Sequence, residues 1–200
     1  MGKVDENKQQ KLEALCQSAY DLFLNQGIAK TSIHDIVQKA GVAKGTFYLY
    51  FKDKYHIRDR LIARTAQKLF QNAYQALLSQ DIPVFEDRVI FIVDYVLSEL
   101  RKNAPVLKFI SKNLSWGIFS QALSQDDTAS YWNADTFTRL LLPEHSDIKL
   151  KNPDVMVFLI VELAGSSSFS TILENDPVSF EELKPYLYDS IRAIIRGQIV

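Results

Sequence analysis

Residues 31–54 read TSIHDIVQKAGVAKGTFYLYFKDK. Thr31 or Ser32 is placed to cap a short helix whose Ile33, Ile36, Val37 and Ala40 turn inward. Gly41 then supplies a tight turn, and a second short helix follows over about 43–50, with Phe47 and Phe51 as its buried anchors. Two short helices about a glycine turn are the layout of a helix-turn-helix, whose second helix enters the major groove of DNA. The residue types suit that task. Lys44 stands at the helix start, where a side chain reaches base edges or phosphates, and Gly45 lets the backbone approach a duplex closely. Thr46 donates to a phosphate or touches a thymine methyl, and the Tyr48 hydroxyl reaches a phosphate. Two bland alternatives stay open: Tyr48 packed on the following helix, and Lys44 simply solvated.

Working outward, Leu12, Leu15, Cys16, Ala19 and Phe23 recur at helical spacing, predicting a first helix over about 7–26 that stops at Gly27. Asp53 is an N-cap for a long fourth helix reaching about residue 79. Asp81-Ile82-Pro83 separates this head from a body. Pro83 and Pro105 each suit the first turn of a helix, predicting helices over about 83–103 and 105–124. A further helix is expected near 129–141, and 143–153 reads as a longer connection with the capacity to move. The last two helices fall near 153–174 and 179–198. Ser179 and Glu182 have capping-box spacing, so Pro185 either kinks the last helix or starts its main section. The expected fold is all-α, with about nine helices: a three-helix DNA-binding head over 1–54, continued by the linking helix to about 79, and a helical body over 55–200.

Composition excludes several classes. Hydrophobic content of 47% with 24% charged residues is that of a globular chain, not of a disordered or membrane-embedded one. The stretch 1–11 is polar, predicting no leader, and the apolar run 155–161 is stopped by Glu162, well short of the ~20 residues that span a bilayer. No membrane partner is therefore expected. Cys16 is the one cysteine; it suits a reducing cytoplasm and reads as core packing rather than a redox site. His34, His56 and His145 are scattered, and no P-loop or nucleophile elbow is present, so no catalytic residue, metal or cofactor is expected. The net charge of −1 hides a division: residues 1–68 hold 12 Lys+Arg against 7 Asp+Glu, and residues 69–200 hold 11 against 17. A basic head on an acidic body suits a polyanion-binding module.

The stretch from Lys11 to Ile62 resembles the TetR family of bacterial transcriptional regulators. The resemblance rests on Ala19, Phe23, Gly27, Thr31-Ser32, Asp35-Ile36, Ala40-Gly41-Val42, Lys44-Gly45-Thr46-Phe47-Tyr48, Tyr50-Phe51 and Lys54. It implies that Lys44, Gly45, Thr46 and Tyr48 contact double-stranded DNA and that Tyr50 binds its backbone. Lys54 at the start of the fourth helix, with Thr31 and Ser32 at the start of the second, would grip phosphate there, although one hydroxyl is needed as the cap. Lys3, Lys8 and Lys11 form either a minor-groove arm or a disordered basic start, the latter being favoured; His34 reads as a surface residue.

The resemblance further implies a cytoplasmic homodimer, nucleoid-associated when bound to a near-palindromic operator, most often a repressor released by a small lipophilic or aromatic effector. The final two helices are the expected dimer interface, through Phe158, Glu162, Gly165, Ser166, Phe169, Leu187, Ile191 and Ile194. An effector pocket is expected among Tyr74, Phe91, Tyr95, Phe109, Asn113, Trp116 and Trp132; Asp94 or Glu162 facing it would favour a cation. The alternative is a DNA-binding module controlled by a protein partner.

Overall fold

The computed structural model describes residues 3–111, 134–143 and 146–200. The head comprises α1 (Lys3–Lys30), α2 (Ile33–Ala40), α3 (Lys44–Tyr50) and the start of α4 (Lys54–Leu78). The body adds α5 (Phe85–Lys102), α6 (Ala104–Ser111), α7 (Ala134–Leu141), α8 (Pro153–Leu173) and α9 (Phe180–Gln198). Among the described residues the expected all-α architecture is found.

Local chemistry sets most boundaries. Gly27 interrupts α1 with φ 81° and ψ 160°, a conformation that favours glycine, and the chain then makes one more turn to Lys30. Ser32 caps α2 through a full capping box: the Asp35 amide donates to Ser32 Oγ at 3.1 Å, and the Ser32 amide donates to Asp35 Oδ2 at 2.8 Å. These bonds hold the Asp35 carboxyl below its ordinary pKa. Gly41 closes α2 in the left-handed region at φ 67°. Asp53 accepts from the amides of Tyr55 and His56, each at 2.8 Å, and starts α4.

Two cores result. The head core gathers Leu15, Cys16, Ala19, Phe23, Ile36, Phe47, Phe51, Ile57 and Ile62, and it takes in Leu107, Phe109 and Ile110 from α6. Cys16 is buried there, and burial pushes its thiol pKa up, as packing predicts. The body core is built on α5, α8 and α9 around Val89, Ile92, Met156, Ile160, Leu187 and Ile191, with Ala73 and Leu77 from the far end of α4. At 25 residues and ~1.5 Å per residue, α4 runs roughly 37 Å and belongs to both cores.

Several sequence expectations need correction. Pro83 lies outside α5, which starts at Phe85 after Val84 as N-cap, whereas Pro105 does sit in the first turn of α6. The helix expected to 124 is described only to Ser111, and the one expected from 129 is described from Ala134. The connection before α8 is not a free loop. Leu150 bridges Ile199, the Lys151 amide donates to Gln198 O at 2.8 Å, and the Val200 amide donates to Lys149 O at 2.9 Å, tying it to the C-terminus. Pro185 lies inside α9, which begins five residues earlier at Phe180 with its Ser179–Glu182 capping box in place. The N-terminal stretch is helical from Lys3, not a disordered start, and the Tyr50 hydroxyl holds it by donating to Lys8 O at 3.1 Å.

Candidate nucleic-acid interface and the cavity behind it

The rotation of α3 follows from its two anchors. Phe47 and Phe51 are buried, with ring centroids 5.5 Å apart, and Phe47 meets the Tyr48 ring edge-on at 5.6 Å. With Phe47 turned inward, Lys44, Gly45, Tyr48 and Leu49 face solvent, and Thr46 is half-buried. A side chain at Gly45 would meet nothing within 4 Å, so internal packing does not require glycine there. Tyr48 is 52% exposed and Leu49 79%, an apolar side chain standing free beside a phenol. Sequence reasoning missed Leu49, although its spacing of four from Gly45 places it on the same face. It also missed Tyr55 at the start of α4, half exposed, with the Arg58 guanidinium 5.1 Å from its ring centre.

The other predicted contacts are committed elsewhere. Thr31 is 1% exposed and its hydroxyl donates to Gly27 O at 2.8 Å, so its side chain cannot reach a duplex. Ser32 is exposed but serves as the α2 cap. Tyr50 spends its hydroxyl on Lys8 O. Lys54 does not present its ammonium to solvent phosphate. Its Nζ donates to Ile28 O at 2.9 Å, Thr31 O at 3.0 Å and Ala29 O at 3.3 Å. These carbonyls belong to the tail that Gly27 breaks from α1, and a lysine has three donors to offer. Lys39 is likewise taken, paired with Asp21 at 2.8 Å, which holds the Asp21 carboxyl below its ordinary pKa. What remains outward is a compact set: Lys44, Gly45, Thr46, Tyr48 and Leu49, flanked by exposed Lys52 and Tyr55.

Behind the head lies a cavity of about 160 Å³ walled by α4, α5, α6, α7 and α8. Its lining corrects the expected aromatic pocket. Val93, Val96, Ile110, Met156 and Ile160 are typical of the wall, and Phe70 is its one aromatic among the described residues. Tyr74, Phe91 and Tyr95 pack against the body core instead, the last two with rings 6.4 Å apart. Phe109 is buried between α6 and the head, stacked on Phe23 at 6.0 Å and edge-on to Tyr20 at 5.8 Å. Asn113, Trp116 and Trp132 lie outside the described residues. Asp94 does not face the cavity: it accepts from the Tyr188 hydroxyl and pairs with Lys184 at 3.0 Å, and burial, then the bond to Asp94, push the Tyr188 pKa up. Glu162 lines the cavity and is exposed.

The predicted interface residues divide between two environments. On α8, Val155, Phe158, Leu159, Glu162, Gly165 and Ser166 form an exposed stripe at helical spacing, while Met156, Val157, Ile160 and Ala164 face the core. This helix is apolar nearly all round, long and apolar enough by composition to cross a bilayer, with a third of it buried. A helix apolar on every side has more surface to cover than one core can take. On α9 the expected stripe is rotated. Leu187 and Ile191 are buried in the body core, Ile194 packs against it, and Phe169 of α8 packs against the head core. The outward face of α9 is Pro185, Tyr186 (74% exposed), Asp189, Ser190, Ala193 and Gly197.

A helix-turn-helix head on a body that is helical among the described residues defines a two-part DNA-binding architecture, and comparison with known proteins agrees. Residues 15–61 match the family described as bacterial regulatory proteins, tetR family. The uncharacterized regulator YvdT of Bacillus subtilis is 52% identical over 44 residues, 22% of this chain and 23% of that protein, so the match spans less than a quarter of the relative. The transcriptional repressor BepR of Brucella suis is 22% identical over 155 residues, covering 65% of this chain and 74% of BepR. In fold, a TetR transcriptional regulator from Rhodococcus superposes with a TM-score of 0.65 at 15% identity, over 93% of this chain and 95% of that one. The likeness to the TetR family thus rests on the head, residues 15–61, and on a fold shared over nearly the whole chain.

Proposed function

We propose that this protein is a homodimeric, sequence-specific DNA-binding regulator of transcription, acting as a repressor that a small lipophilic molecule releases from a near-palindromic operator. The observation that carries the reading is the face of α3: its buried phenylalanines leave Lys44, Gly45, Tyr48 and Leu49 outward together. A cation and a hydroxyl position the helix on phosphates, glycine admits the backbone, and an exposed leucine suits a thymine methyl. One seven-residue helix makes few contacts. Two copies, joined through the exposed stripes of α8 and α9, would read half-sites about 34–36 Å apart.

Release follows from where the cavity sits. Leu107 and Ile110 of α6 line it and also belong to the head core, while Ala66, Leu69 and Phe70 line it from α4. A ligand that fills the cavity therefore presses on the two helices that carry the head. It acts only through its preference for one head spacing over the other, and a shift from 1:99 to 99:1 needs about 5.5 kcal/mol of such preference.

The same α8 stripe is also the surface on which a different protein would dock, the reading in which a partner rather than a small molecule controls the head. Selection of bound genomic fragments by the purified protein, with its mass measured in solution, tests both. Enrichment of one palindrome by a species of twice 22.9 kDa is the expected result. Diffuse, salt-labile binding by a monomer would overturn it.

A further inference from the structure

Two hydroxyls of α8 are satisfied within the helix. Ser167 Oγ donates to Leu163 O at 2.6 Å, and Thr171 Oγ1 lies 3.1 Å from the Ser167 and Ser168 carbonyls. Ser168 departs from this pattern. It is 1% exposed, it lines the cavity, and its Oγ is buried with no hydrogen-bond partner. A helical serine has an acceptor at hand in the carbonyl one turn back. A buried hydroxyl left unpaired is costly, and such groups in native proteins commonly mark a place where something else binds.

The rest of the cavity limits what that something is. Among the described lining residues the wall is mainly aliphatic, with Val93, Val96, Ile110, Met156 and Ile160 beside the one aromatic, Phe70. The only charged side chain among the described lining residues is Glu162, which is exposed. An ionised carboxylate or ammonium drawn into the interior would be desolvated, with no buried counter-ion among the described lining residues. The volume, about 160 Å³, compares with an engineered apolar cavity of about 150 Å³ that takes benzene. It therefore accommodates a molecule of about six to eight heavy atoms.

We propose that this cavity takes a neutral aliphatic or alicyclic molecule of that size bearing a single oxygen function, an alcohol or a ketone, and that Ser168 reads the oxygen. The inference rests on the cavity being the effector site, and it narrows the effector from lipophilic compounds in general to one class. It favours a neutral molecule over an ion.

Four probes with one carbon skeleton test it on the full chain: cyclohexanol, cyclohexane, cyclohexanecarboxylate and cyclohexylammonium, measured by calorimetry and by the rise in Tm. Cyclohexanol is expected to bind at least tenfold more tightly than either ion. Ser168→Ala should weaken cyclohexanol about five- to tenfold and leave cyclohexane within twofold, the size expected for one hydrogen bond. Removing the unpaired hydroxyl should also raise the ligand-free Tm by about 2–4 °C. Val93→Phe, or Ile160→Phe if the first does not fold, fills the cavity and should abolish binding of both neutral probes. If filling the cavity abolishes binding but Ser168→Ala leaves cyclohexanol unchanged, the effector site stands and the assignment to Ser168 falls. Tightest binding of cyclohexylammonium would also overturn the proposal, giving the selection to Glu162. If no probe binds at millimolar concentration, the effector-site reading falls with it.

Discussion

The ammonium of Lys54 donates to three main-chain carbonyls, those of Ile28, Ala29 and Thr31, just past the point where Gly27 breaks α1. A lysine at a helix start is well placed for a phosphate, yet here it closes the tail of the preceding helix. Its replacement distinguishes the two roles. Lys54→Met should lower Tm by about 4–8 °C, the equivalent of ~2 kcal/mol from charge-assisted bonds, and leave the salt dependence of DNA binding unchanged. A fall in the slope of log K against log[salt] by ~0.9 per lost contact, without loss of stability, would return Lys54 to the phosphate contacts. Lys44 should behave oppositely. Lys44→Ala is expected to reduce that slope by ~0.9 per contact and to leave Tm within a degree, since its side chain is exposed and no ion pair holds it among the described residues. Tyr48→Ala should weaken operator binding as well. Full affinity in both variants, read by fluorescence anisotropy across a salt series, would remove α3 from the interface.

At the scale of single elements, α2, its turn and α3 were legible because every determinant is local. The left-handed Gly41 and the Phe47–Phe51 spacing act within a few residues, as does the α2 cap, which the sequence narrowed to Thr31 or Ser32 and the structure gives to Ser32. The stripe on α9 was not legible in the same way. Leu187 and Ile191 are as apolar as a dimer contact would be, and only the packing of α9 on α8 and α5 shows that they face inward. On α8 the exposed stripe survives, and it carries a prediction. Phe158→Glu places a charge where two copies would meet and should leave a species of 22.9 kDa instead of twice that mass by sedimentation. Helical content should stay constant, because Phe158 is not in the core. An unchanged dimer would move the interface elsewhere.

For the molecule as a whole, the decisive feature is that α6 belongs to two environments. Phe109 stacks on Phe23 of the head, while Leu107 and Ile110 border the cavity. Phe109→Leu shortens that contact without opening the head core fully. It should leave cyclohexanol affinity and ligand-free operator affinity within threefold, while reducing the factor by which cyclohexanol weakens operator binding. Undiminished coupling in Phe109→Leu would place the transmission in α4 alone. Such factors commonly lie between about 5 and 150, so even a halving of the coupling free energy is measurable.

By itself, the sequence determined the helical class, the helix-turn-helix, the caps of α4 and α9, and the burial of Cys16, because periodicity and capping are properties of neighbouring residues. Tertiary structure alone decided the rest. The acceptors of Lys54 lie 23 to 26 residues away, and the strap on the segment before α8 comes from the C-terminus. Phe109 was drawn to the head rather than to the cavity, whose described wall is mainly aliphatic and includes one unpaired hydroxyl. Each of these depends on which apolar face meets which, and many chains of the same pattern could pair their faces differently.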